Sequence, residues 1–98
     1  MNSKVVCEII FKDPQSEKIF TIVGKVRENQ IFSLKDSWIS VSNIFQRNGE
    51  WKNSEHTIHK PTIEYLIIIK TGSVYVFDKE SLVVHKIILN KPLPVSIC

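Results

Sequence analysis

Tyr65-Leu66-Ile67-Ile68-Ile69-Lys70-Thr71-Gly72-Ser73-Val74-Tyr75-Val76-Phe77 is the stretch that decides how the whole chain folds. Its first five residues are apolar on both faces of an extended chain. Such a strand belongs in the centre of a sheet or beneath a helix. Thr71-Gly72 is a tight-turn signal, and 73–77 returns as a second strand rich in β-branched and aromatic residues. Asp78-Lys79-Glu80-Ser81 is a polar turn, followed by a third alternating stretch to Leu89. The spacing predicts an antiparallel meander with strands at about 62–70, 73–77 and 82–89. Pro92 and Pro94 end it, because proline has no N–H to give to a ladder.

Working back toward the N-terminus, 4–11 is β-branched and apolar and reads as a strand. Pro14 fixes its own φ and pushes Asp13 out of helical conformation, so 12–17 is a turn. A second strand follows at 18–28, with Phe20, Ile22, Gly24 and Val26 on one face and Lys25 and Arg27 on the other. That period of two implies one buried and one wet face. Gly24 inside it implies a bulge or a close backbone approach. The two strands form a hairpin.

Residues 34–47 carry two patterns. As a helix, Ser33 is the N-cap, Asp36 completes a loose capping box, and Leu34, Trp38, Val41 and Phe45 share a face. Asn48-Gly49 then supplies a C-terminal stop. As a strand, Ile39, Val41 and Phe45 alternate with Trp38, Ser40 and Ser42. Intrinsic propensity disfavours the helix across 37–44, whereas the caps and the longer period favour it. The expectation taken is a short amphipathic helix at about 34–47, followed by a long polar loop over 49–60.

Composition sets the remaining bounds. The chain has 98 residues, 43% hydrophobic and 23% charged, and is expected to be one domain spanning 1–98. Its net charge of +3 comes from 13 basic and 10 acidic residues that alternate along the chain and form no basic arm. The two cysteines, Cys7 and Cys98, do not make a disulfide framework, so a reduced, cytoplasmic protein is expected. The N-terminus does not read as a signal peptide. No apolar run approaches the ~20 residues of a membrane span, and no membrane contact is expected.

Few residues carry chemistry. Gly24, Gly49 and Gly72 are too far apart to cradle a phosphate in a Walker or dinucleotide loop. His56 and His59, with Glu55 beside them, would share a face on a helical turn, but no second close pair completes a zinc site; they read as exposed loop histidines. Cys7 sits in an apolar strand, where a thiol pKa rises, so it reads as a core residue and not as a nucleophile. His85 reads as a core or boundary residue. Glu64, Asp78 and Glu80 form no acid–base pair. No catalytic residue, metal or cofactor is therefore assigned.

The segment 45–53 combines Arg47 and Lys52 with Phe45 and Trp51. A tryptophan in a polar segment either folds back onto the core or waits for a partner. The fold class expected is thus a β-rich α+β domain: an antiparallel sheet or small open barrel of strands at about 4–11, 18–28, 62–70, 73–77 and 82–89 with one short helix. The function expected is non-catalytic binding through Arg47, Trp51 and Lys52. The partner is expected to be a protein, met as inhibitor or adaptor or by self-association. Nucleic-acid binding through the same loop is the alternative.

Overall fold

The computed structural model describes residues 3–87. They form one antiparallel sheet with strands β1 (Lys4–Lys12), β2 (Ile19–Arg27), β3 (Trp38–Arg47), β4 (Glu50–His59), β5 (Ile63–Ile68), β6 (Ser73–Phe77) and β7 (Val84–Ile87). Their spatial order is β4-β3-β2-β1-β5-β6-β7, and the sheet is not closed. Among the described residues a single α-helix, α1 (Glu28–Phe32), follows β2, and a short 3-10 turn (Lys60–Thr62) joins β4 to β5. The β-rich antiparallel class with one short helix is as the sequence predicts.

The location of the helix is not. Residues 38–47 are strand, and the polar segment after them is strand as well, so the five expected strands become seven. The reason lies in which pattern the core can use. Ile39 and Val41 are fully buried, while Trp38 beside them is exposed, which is strand alternation. Asn48-Gly49 is a two-residue hairpin turn with φ of 53° and 78° at its two residues and Arg47 paired to Glu50. Two successive positive φ values match the right-handed twist of the flanking strands, the geometry for which Asn-Gly is suited. The dipeptide that reads as a helix stop is the centre of a hairpin.

The helix that does form begins at Glu28, the last residue of the predicted second strand, and runs through 29–32, for which no element is predicted. It inserts Ile31 into the core, and Phe32 meets Tyr75 edge-on at 5.5 Å. The Gln30 side-chain carbonyl accepts the Ser40 backbone N–H at 3.0 Å, so α1 takes over part of the bonding of β3 where β2 has ended. The third meander strand begins only at Val84, because Leu82 has φ 63° and closes the preceding turn; Leu89 and Cys98 lie outside the described residues.

One face of the sheet carries the core: Cys7 and Ile9 of β1, Val26 of β2, Ile39 and Val41 of β3, Ile58 of β4, Leu66 and Ile68 of β5 and Phe77 of β6. Each buried aliphatic side chain contributes roughly 1.5–3 kcal/mol. β1 and β5 are also buried on the opposite face, at Ile10 and Ile67, as the unbroken apolar run of β5 predicts. Gly24 is the predicted close approach. A Cβ there would lie 2.6 Å from the Ser42 carbonyl oxygen and 2.7 Å from Val41 Cγ1, so β3 crosses β2 at a point where only glycine fits. The fully buried Lys60 pins the connection before β3. Its Nζ donates to the Ser33 carbonyl at 2.8 Å and lies 5.7 Å from the Phe77 ring centroid. Burial lowers its pKa, and nearby Asp36 acts in the opposite direction.

Candidate functional site

Residues 45–53 are the end of the β3–β4 hairpin, not a loop. β2 pairs with β3 only at Lys25↔Ser42 and Val26↔Val41, whereas β3 pairs with β4 from Trp38↔His59 to Arg47↔Glu50. Beyond Ser42, the two strands therefore form a ribbon bonded only to itself among the described residues. The three predicted contact residues all lie on this arm, but on different faces. Register places Trp51 opposite Gln46 and Ile44 opposite Asn53 on one face, and Phe45 opposite Lys52 and Arg47 opposite Glu50 on the other.

Trp51 is 71% exposed and Ile44 55%, so the first face is apolar and open. On the second face Arg47 lies over the Phe45 ring, with Cζ 5.9 Å from its centroid. Lys52 Nζ meets Glu50 Oε2 at 3.2 Å. This exposed pair contributes ~0–1 kcal/mol to stability, but it offsets the lysine charge. Arg47 is left as the principal cation of the tip. Ile44 is the exposed apolar residue of this face that sequence reasoning misses. A strand reading of 38–47 would have placed it on the Trp51 face.

The histidines occupy a different place from the one a helical turn would give. On β4, His56 and His59 project to opposite faces of the strand. His56 Nε2 shares a 2.8 Å hydrogen bond with Ser54 Oγ, and the His59 ring stacks on Trp38 at 4.6 Å. Both border a cleft of about 330 Å³, lined also by Phe11, Ile22 and Ile58. Cys7 is buried, and burial first, then the Glu28 charge, raises its thiol pKa to about 12; it is a packing residue, as expected.

A second cleft, of about 180 Å³, lies where β2 meets β3. Lys4, Lys25, Arg27, Ser40, Ser42 and Glu55 line it. The sequence shows Lys25 and Arg27 on a wet face but gives no sign that β3 and β4 would bring hydroxyls beside them.

Among the described residues, no helix is long and apolar enough to cross a membrane. No protein-family model matches this sequence, no curated protein matches it, and no solved structure matches its fold.

Proposed function

We propose that this chain is a small non-catalytic docking module that holds a protein partner through the end of the β3–β4 arm, with Trp51 as its anchor. The observation that carries this reading is the exposure of Trp51 beside exposed Ile44 on a ribbon that no third strand joins among the described residues. Tryptophan is the residue whose burial at an interface returns most, and binding hot spots are enriched in it. The tip's charges nearly balance, since Lys52 pairs with Glu50 and leaves Arg47. That balance suits a protein surface better than a phosphate backbone, whose binding rests on several unpaired cations. A buried free thiol at Cys7 accords with a reducing compartment such as the cytoplasm.

The test uses Trp51→Ala. Sedimentation over a range of concentrations first separates self-association from binding to another protein. Crosslinking in the cell of origin, with wild type and variant side by side, then identifies what the arm touches. The variant is expected to keep its stability within about 0.5 kcal/mol. It is expected to lose at least about 2 kcal/mol of binding. An unchanged set of crosslinked partners and unchanged self-association would sink this reading, and so would a large loss of stability.

A further inference from the structure

The cleft at the β2–β3 junction gathers three like charges, Lys4, Lys25 and Arg27. Lys4 and Arg27 are directly opposite one another in the β1–β2 register, and Lys25 is two positions from Arg27 on the same face. Like charges directly opposite across a ladder are destabilising. Among the described residues the side-chain ion pair is Lys52–Glu50, at the far end of the arm, so no carboxylate lies within 4.0 Å of these three cations. β3 adds Ser40 and Ser42 to the same cleft, with Lys25 opposite Ser42. Ser42 Oγ already donates to Asn53 Oδ1 at 3.0 Å, so Ser40 Oγ is the hydroxyl donor of the cleft.

We propose that this cleft binds a single phosphoryl group. Three cations and a hydroxyl donor converge on a concave site, and a tetrahedral dianion uses all of them where a carboxylate would not. The site is one anion wide. Glu55 lines one side, and Glu8, on the same face of β1 as Lys4, flanks it beyond Val6. A strand of nucleic acid would meet these carboxylates on either side of the cations, so a phosphate monoester or free phosphate is the ligand the charges favour. The cleft lies on the same face of β3 and β4 as Ile44 and Trp51, nearer the β2 junction, but uses neither residue, so it stands whether or not the tip holds a protein.

The experiment is a titration of the full chain, followed by amide chemical shifts, with inorganic phosphate, phosphoserine, serine and a single-stranded DNA oligonucleotide in separate arms. Phosphate or phosphoserine is expected to produce saturable shifts centred on Lys25, Arg27, Ser40 and Ser42, and serine none. Phosphoserine binding tighter than phosphate identifies a monoester site; the reverse identifies free phosphate. Arg27→Gln is expected to weaken binding by about tenfold or more. With no anion present it is expected to hold or raise the melting temperature, because it removes the Lys4–Arg27 repulsion. Trp51→Ala is expected to leave the titration unchanged. Absence of saturable shifts at the cleft would overturn the proposal. So would DNA binding there that phosphate does not displace, or an Arg27→Gln variant that melts lower without anion and binds phosphate as before.

Discussion

The centre of the sheet and the end of the β3–β4 arm are both antiparallel hairpin structure, yet they are stabilised in opposite ways. β1 is bonded on both edges, to β2 and β5, and buries Cys7 and Ile9 on one face and Ile10 on the other. The arm beyond Ser42 is bonded on one edge and exposes Trp51 and Ile44. Strand geometry is therefore not what separates scaffold from candidate contact surface here. The difference is the number of neighbours each strand has. Residues with neighbours on every side are fixed by the fold, and those on the arm are free to be chosen for something else.

The sharpest way to break this comparison is to truncate one aliphatic residue in each region. Leu66 is fully buried at the centre, so Leu66→Ala is expected to lower unfolding stability by about 2–5 kcal/mol. Ile44→Ala on the arm is expected to change it by less than about 0.5 kcal/mol. Urea denaturation of both variants reads the difference. Equal losses would mean that the arm is part of the core.

A smaller effect is expected where the two regions join. At Gly24 a methyl group would have to displace the Ser42 carbonyl and Val41. Gly24→Ala is expected to destabilise by about 1–3 kcal/mol, the usual scale of overpacking. Hydrogen exchange sharpens the point. Amides of 38–42 and 55–59 should lose protection before those of β1 and β5, because the variant pushes the arm away from β2. Uniform loss of protection would show that the arm and the centre open together.

What was legible in the sequence follows the same division. The meander, the first hairpin and the close approach at Gly24 are all readable, because their residues have a strong period or a strong breaker. The β5 run is apolar on both faces and has strands on both sides, so pattern and environment agree. The β3–β4 hairpin misleads for a physical reason. Leu34, Trp38, Val41 and Phe45 fall at helical spacing, but Leu34 and Trp38 are exposed in the fold, so half of that stripe was never core. β4 reads as a loop because its distal half faces water on both sides and needs no apolar alternation. The site is partly legible: Arg47, Trp51 and Lys52 do lie together on one arm, but their faces depend on strand register. The Lys4–Lys25–Arg27 cleft depends on β3 crossing β2, a long-range contact that local pattern does not encode.

The smallest expected effect concerns how each region closes its turns. The β1–β2 and β6–β7 hairpins use the same device. Asp13 N–H donates to Lys18 O and Glu17 N–H to Asp13 O; Asp78 N–H donates to Val83 O and Leu82 N–H to Asp78 O. In each, the fifth residue has positive φ, 60° at Glu17 and 63° at Leu82. Each aspartate side chain also accepts from the serine three residues on: Asp13 Oδ2 from Ser16 Oγ and N–H, Asp78 Oδ1 from the N–H of Ser81 and of Glu80. These bonds favour the ionised carboxyl and hold both pKa values below the usual carboxylate range, the Ser16 hydroxyl leading at Asp13 and the Ser81 amide at Asp78. A depressed folded pKa stabilises the turn fully above the unfolded value of about 3.9 and progressively less as pH falls through the folded value. The arm's turn is closed by the backbone geometry of Asn48-Gly49 and has no such group. Lowering the pH from 6 toward 2 should therefore move the amide signals of Ser16, Glu80 and Ser81 together with their aspartates and leave Gly49 nearly still. Asp13→Asn and Asp78→Asn retain the acceptor oxygen and remove the titration, so each should abolish the acid response of its own turn alone. A Gly49 signal that followed the same titration would show that the arm is coupled to the scaffold's turns, and its independence from the rest of the sheet would have to be given up.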